Sequence, residues 1–272
     1  MNDMVNTLKN INNIPTEPKP KYEESERIKA FIITMYNDSY SSFLSRVCAN
    51  TIEDTGSMMD YCFFPATTPN TVERDLKKIS YIKDAHKLPW TWPTNDSEND
   101  YDLKTGLYKS AYRANDQRKV IACMVSHMRA WQMCIDLNQP IIILEHDSKM
   151  LRKFRWYDIK NDFTGGILGI NVAAPNSTRK SFIFNQRLIE NKAIQPPPFV
   201  DDVGDLPRPQ GLAGNSAYII KPWAARALLD KISEIGMWPN DALMCKQLFP
   251  WMQVMWSPYT HFQQFTKSTT TQ

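Results

Sequence analysis

No apolar run in the sequence approaches the ~18 residues that a membrane-spanning helix needs, so no transmembrane segment is expected. Residues 1–27 also lack an apolar core and carry Pro15, Pro18 and Pro20, so a signal peptide is not expected there. Cysteine is sparse and odd in number (Cys48, Cys62, Cys123, Cys134 and Cys245), with no CxxC and no closely spaced Cys/His pairs. That pattern argues against a disulfide framework or a zinc finger, and for buried thiols in a reducing, cytoplasmic compartment. No GxGxxG follows a strand and no P-loop is present, which weighs against a dinucleotide oxidoreductase or a P-loop NTPase. Excess charge of one sign is small: Lys+Arg 32 against Asp+Glu 29 gives +3, which alone supports neither a nucleic-acid nor an anionic-membrane partner. What is present suffices for a folded domain. The 272 residues are 42% hydrophobic and 11% aromatic, which excludes a mini-protein or a chain disordered throughout.

The pattern alternates between short apolar runs and helical periodicity. Ala30-Phe31-Ile32-Ile33-Thr34-Met35 reads as a strand, residues 40–53 as a helix and Tyr61-Cys62-Phe63-Phe64 as a second strand. Residues 84–117, rich in Pro, Trp, Asn and Asp, read as a long surface excursion. The clearest helix covers residues 118–137, with Ile121, Met124, Val125, Met128, Trp131 and Ile135 in helical spacing and Asn138 and Pro140 ending it. Ile141-Ile142-Ile143-Leu144 follows, apolar on both faces as in a central strand. Gly166-Ile167-Leu168-Gly169-Ile170 and Ser216-Ala217-Tyr218-Ile219-Ile220 complete the strands. A second, proline-rich excursion covers residues 195–210. A helix opens with Pro222 and closes before Gly236, and Asn240 is placed to cap another over residues 241–248. The alternation predicts an α/β sandwich with a mainly parallel sheet. One domain is expected over residues 28–265, between a polar tail (1–27) and a short C-terminal tail (266–272).

Ligands in such sheets bind beyond the carboxyl ends of the strands, and Glu145-His146-Asp147 stands at such an end. Acid-x-acid spacing turns two carboxylates to one side of an extended chain, where they can hold a divalent ion bridging a diphosphate. An ordinary polar strand terminus is the alternative. Ile121-Ala122-Cys123-Met124-Val125-Ser126-His127-Met128-Arg129-Ala130-Trp131, followed by Ile142-Ile143-Leu144-Glu145-His146-Asp147, resembles glycosyltransferase family 25, which includes lipooligosaccharide and collagen galactosyltransferases. The family pattern is a Gly-Cys-x-x-Ser-His-x-x-x-Trp helix and a strand ending Leu-Glu-Asp-Asp. Gly214-Asn215-Ser216-Ala217-Tyr218-Ile219-Ile220 resembles its Gly-x-x-Ala-Tyr-x-Ile segment, and Pro239-Asn240-Asp241 its Pro-x-Asp. Ala122 departs from the usual Gly, and His146 from the middle acid.

The resemblance implies a GT-A-like (Rossmann-like), nucleotide-sugar-binding α/β/α sandwich. The implied reaction moves a sugar from a nucleotide-diphosphate donor such as a UDP-sugar to an acceptor hydroxyl, with inversion and a divalent metal, Mn2+ or Mg2+. Asp147, Glu145 and His261 are the implied metal ligands, with a surface or packing histidine the competing reading of His261. Asp241 is the implied base, with an acid that only favours the helix dipole as the alternative. Thr34, Asn37, Ser126, His127 and Glu145 would line the donor site. For Ser126 and His127, packing within the helix is the competing reading. Arg129 could meet phosphate, although an exposed helical arginine is the commoner case.

The acceptor is left open between a lipopolysaccharide-type saccharide and a hydroxylated cytosine in bacteriophage DNA, for which the base would be flipped into the pocket. Leu151-Arg152-Lys153-Phe154-Arg155-Trp156-Tyr157 interleaves cations and aromatic rings. It suits a membrane surface, a nucleic acid, or a solvated helix with its rings turned to the core. A catalytically silent relative that binds nucleotide sugar or glycan is the alternative from another class, because His146 breaks the acidic triplet.

Overall fold

The computed structural model describes residues 27–111, 114, 116–172, 190–196, 207–209, 211–212 and 215–262. The two predicted tails fall outside these residues except for Arg27, and so does most of the 195–210 excursion. The elements are β1 (Ile28–Thr34), α1 (Ser39–Asp54), β2 (Met59–Pro65), α2 (Val72–Leu76), β3 (Asp100–Asp102), β4 (Leu107–Lys109) and α3 (Gln117–Leu137). They continue as β5 (Ile141–Glu145), β6 (Ser148–Met150), β7 (Ile167–Gly169), β8 (Ala217–Ile220), α4 (Pro222–Ile235), α5 (Asn240–Leu243), β9 (Gln253–Val254) and β10 (Thr260–Phe262).

Six strands form one sheet in the order β2-β1-β5-β8-β7-β9. β1 pairs in parallel with β2 and β5, and β7 with β9, whereas β8 is antiparallel to both β5 and β7. The sheet is therefore mainly parallel, as expected, with one reversed strand. That reversal has no signature in the apolar tetrapeptide of β8, because direction is set by the connecting chain.

Both faces of the sheet are covered, which explains the unbroken apolar run of β5. Alternate side chains enter opposite cores: Ile141 and Ile143 pack with α3 and α4, and Ile142 and Leu144 with α1 and Phe154. All four are fully buried, and each such side chain contributes about 1.5–3 kcal/mol relative to exposure. Asp38 caps α1 by accepting a hydrogen bond from the Ser41 N–H at 2.7 Å. α3 stops at Asn138, whose φ of 49° takes the left-handed conformation that asparagine tolerates. α4 opens with Pro222 and ends at Gly236 (φ 88°), where a Cβ would lie 2.5 Å from Thr91.

The excursion of residues 84–117 holds two 3-10 turns and the β3–β4 hairpin, and Trp92 packs edge-on against Trp238 at 5.1 Å. Two expectations are corrected. The helix expected over residues 241–248 is the single turn α5, because the chain at Cys245 turns away to bridge Gly211. The basic, aromatic segment after β6 is not a helix. Phe154 is core, Arg152 stacks on Tyr259 at 3.7 Å, Arg155 pairs with Asp158, and a 3-10 turn begins at Trp156. All five cysteines are free thiols; Cys62 is exposed and Cys123 half-buried, while the other three are buried. Among the described residues, no helix is long and apolar enough to cross a membrane.

Candidate active site

The carboxyl end of β5, the start of β8, the first half of α3 and α5 meet at one edge of the sheet. β1 ends beside them, with Ile33 in register with Glu145. The turn after β5 is pinned to β8 by the Ser216 carbonyl, which accepts from the Glu145 N–H at 2.8 Å and from the Ser148 hydroxyl at 2.7 Å. This clamp fixes Glu145, His146 and Asp147 at the sheet edge.

Behind Glu145 runs a buried hydrogen-bond relay. Trp131 Nε1 donates to the Tyr218 hydroxyl at 2.8 Å, that hydroxyl lies 2.8 Å from His127 Nδ1, and His127 Nε2 lies 3.3 Å from Glu145 Oε1. The indole N–H can only donate, so the phenol oxygen accepts it. A carboxylate can only accept from Nε2–H, and in the neutral imidazole that leaves Nδ1 to accept the phenol O–H. The two ends of the relay are thus compatible with the tautomer that carries its proton on Nε2, toward Glu145. The ring of His127 also stacks on Tyr218, at 5.8 Å and 21°.

Asp147 is under electrostatic load. Burial first, and then the negative charge of Glu145, push its carboxyl up to about 7. Its Oδ1 is sealed from solvent and has no hydrogen-bond partner among the described residues; the same holds for Oδ1 and Nδ2 of Asn215 and for Oγ of Ser216. Buried polar atoms without partners are rare in folded proteins, and these flank one turn. Asn215 and Ser216 are functional candidates that residue-by-residue reading passed over. Their only sequence signal is a polar pair directly before the Ala-Tyr strand.

Cys123 lies on α3 one turn before His127. Burial, then the charges of Glu145, Asp241 and Asp147, raise its thiol well above the usual range. All three acids therefore act on one thiol, so α5 brings Asp241 to the same edge as the β5 turn. The thiol donates to Asn240 Oδ1 at 3.7 Å. The Asp241 carbonyl faces Gly211, where a Cβ would come within 1.9 Å.

The remaining candidates divide. Ser126 is buried and structural in its contacts, accepting from the Thr67 N–H and donating to the Ala122 carbonyl, each at 2.8 Å. The Thr34 hydroxyl is buried 2.9 Å from the Ile32 carbonyl and 2.8 Å from the Ser45 hydroxyl. Asn37 is exposed in the turn after β1. Arg129 is not a free cation: it donates to the Pro65 carbonyl at 2.8 Å, sits over Phe64 at 5.1 Å and lies 3.5 Å from the buried Asp75. His261 stands on β10 opposite Lys149, two residues beyond Asp147, with its Nδ1 against the Phe262 carbonyl.

Two donor sets bear on a metal ion. Among the described residues, Cys123, His127 and Glu145 offer ligand atoms within 4.8 Å of one another. Both ring nitrogens of His127 are engaged in the relay, however, and the thiol is held protonated. The other set is the carboxylate pair, with an orphaned Asp147 oxygen beside Glu145. Oxygen donors of like charge in a half-buried turn fit a hard divalent cation, so the chemistry of the site agrees with the implied ion at Asp147 and Glu145. His261 does not join either set through the contacts described.

No curated protein sequence matches the chain. Among solved structures, an active-site mutant of the enzyme LgtC is similar at 8% identity and a TM-score of 0.38, over 84% of this chain and 72% of that one. The WbbM bifunctional glycosyltransferase gives 9% and 0.40, over 87% and 39% of the two chains. Mouse xyloside xylosyltransferase 1 gives 10% and 0.38, over 84% and 85%. The sequence model described as glycosyltransferase family 25 (LPS biosynthesis protein) matches residues 28–164. That match spans just over half of the 272 residues and carries α3, β5 and the acidic turn, so the protein belongs to glycosyltransferase family 25.

Proposed function

We propose that the protein transfers a sugar from a nucleotide-diphosphate donor, a UDP-sugar in the simplest case, to a hydroxyl of a saccharide acceptor. The observation that carries this reading is the group of orphaned buried polar atoms on Asp147, Asn215 and Ser216 around a carboxylate pair. A donor rich in oxygens and hydroxyls satisfies such atoms. Asp147 and Glu145 would hold a divalent ion, Mn2+ or Mg2+, which when bound offsets charge on the leaving diphosphate. Asn37, exposed after β1, is available to the nucleotide, and Thr34, Ser126 and His127 support the walls from behind. In the transfer, Asp241 accepts the proton of the acceptor hydroxyl, and the freed oxygen lone pair bonds to the anomeric carbon. The carbon–oxygen bond to the diphosphate breaks and its electron pair leaves with the nucleotide, which inverts the centre. The family's description as an LPS biosynthesis protein favours a saccharide acceptor over a DNA base.

The test is a donor panel with Mn2+, offered core oligosaccharides from lipopolysaccharide and, separately, hydroxymethylcytosine DNA. Transfer to the oligosaccharide is expected. Asp241→Asn should lower kcat by about 10²–10⁴ with little change in donor KM. Transfer to DNA alone would overturn the acceptor assignment, and binding of donor without transfer or hydrolysis would overturn catalysis itself.

A further inference from the structure

A concavity lies beside the β3–β4 hairpin. It has a volume of about 530 Å³ and is walled by Trp90, Trp92, Tyr101 and the aliphatic Ile235, with Asp100 and Lys104 at its sides. Its construction is rigid. Trp92 is buried with its indole N–H donated to the Ser110 carbonyl at 3.0 Å. Tyr101 is held edge-on by Tyr108 at 5.7 Å. Lys109 joins Asp102 across the hairpin at 2.9 Å and lies over the ring of Trp238, in the segment that follows α4.

Its position relates it to the transfer site. Trp90 bridges Met237, and that segment runs directly on to Asn240 and Asp241. Met237 and Asp241, four residues apart, lie at most about 14 Å from each other, a span comparable with a short oligosaccharide.

Its chemistry selects the ligand. Tyr101 is 40% exposed, so an aromatic ring is presented at the cavity rather than consumed in the core. Trp90 adds indole surface to the same wall, and Asp100 and Lys104 supply the polar groups. Aromatic surface with a few convergent polar groups is the make-up of a small-ligand pocket. The charged lining is Glu98, Asp100 and Asp102 against Lys104 and Lys109, acidic on balance and unsuited to a phosphate backbone. A neutral pyranose, with apolar C–H faces and a hydroxyl rim, matches both parts.

We propose that this cavity is an acceptor subsite that holds a neutral sugar ring of the acceptor saccharide remote from the hydroxyl being glycosylated. The proposal rests on the saccharide-acceptor reading above. Tyr101 stacks on the ring, and Asp100 and Lys104 meet its hydroxyls. Two readouts separate its fate from that of the wider reading. The first is binding without catalysis: saturation-transfer NMR of the full chain with neutral core oligosaccharide, and with glucose and galactose. The second is transfer kinetics to the same compounds, with donor hydrolysis in water recorded alongside. Tyr101→Ala and the milder Trp90→Phe should weaken oligosaccharide binding and raise its KM about tenfold, equivalent to about 1.4 kcal/mol. Donor hydrolysis and kcat should be unchanged. Equal oligosaccharide binding by both folded variants and the unsubstituted chain would overturn the subsite, even if transfer is observed. Loss of donor hydrolysis in Tyr101→Ala would overturn it too, by tying that residue to the donor. If the unsubstituted chain transfers nothing, oligosaccharide binding that is sensitive to Tyr101 still upholds the subsite while the transfer reading falls.

Discussion

Replacing Tyr218 by Phe removes a single oxygen from a fully buried ring and leaves no cavity for the surrounding chain to fill. Two groups lose their partner: Trp131 Nε1–H, on a side chain with no exposure, and His127 Nδ1, on one that is 1% exposed. Each orphaned buried group costs about 1–3 kcal/mol. The hydroxyl's own desolvation cost is removed at the same time, so the net loss should be about 2–4 kcal/mol. Urea denaturation followed by tryptophan fluorescence should show a lower midpoint at an unchanged slope, and Tm should fall by roughly 5–10 °C. Transfer should fall as well, because the ring that faces Glu145 through Nε2 loses the hydroxyl that holds its other nitrogen. Tyr218→Phe within about 0.5 kcal/mol of the unsubstituted chain, the range of ordinary surface changes, would refute the relay.

Asp147→Asn should stabilise the metal-free protein at pH 8 and leave it nearly unchanged at pH 4. A carboxyl held at about 7 when folded and near ~3.9 when unfolded binds a proton on folding between those values, so its contribution to stability falls as pH rises through them. After discounting for solvent access, the difference at pH 8 is on the order of 1–2 kcal/mol, read by thermal melts across pH; millimolar Mn2+ should raise Tm only while Asp147 is present. Gly211→Ala places a Cβ within 1.9 Å of the Asp241 carbonyl, and backbone cannot yield as a side-chain end does. α5 must shift, at about 1–3 kcal/mol of stability, and transfer should fall at least as far as donor binding is retained in calorimetry.

The elements that were legible in the sequence are those whose pattern is local. α3 was set by its periodicity and its Asn138 stop, β5 by four consecutive apolar residues that two-sided burial requires, and α4 by Pro222 and Gly236. The direction of β8 was not legible, because Ala217-Tyr218-Ile219-Ile220 has the same apolar face in either sense. The short length of α5 was hidden for a similar reason: the Cys245–Gly211 bridge that ends it joins residues far apart in sequence. At the site, Glu145 and Asp147 were marked by acid-x-acid spacing at a strand end. The role of Tyr218 was invisible, since a tyrosine in an apolar strand reads as core. Only the register, which sets Tyr218 opposite Ile143, places its hydroxyl beside His127. Arg129 and the segment after β6 show the converse error. Their charges look available in sequence but are bound to carbonyls, carboxylates and rings in the fold.

His146, in the place of the usual middle acid, changes the charge of the turn more than its capacity to hold an ion. Its imidazole is pulled below the ordinary histidine range by burial, against the opposing charges of Glu145 and Asp38, so at neutral pH it adds no cation to the turn. A third carboxylate there would add like-charge repulsion against both neighbours. Burial and then the charge of Glu145 already push the Asp147 carboxyl up to about 7, and a second neighbouring carboxylate would push it further. With His146 in place, one divalent cation at the proposed site would balance the two remaining carboxylates. The substitution thus lowers the electrostatic cost of keeping Glu145 and Asp147 together, and it leaves the orphaned Asp147 oxygen as the atom with the most to gain from an ion.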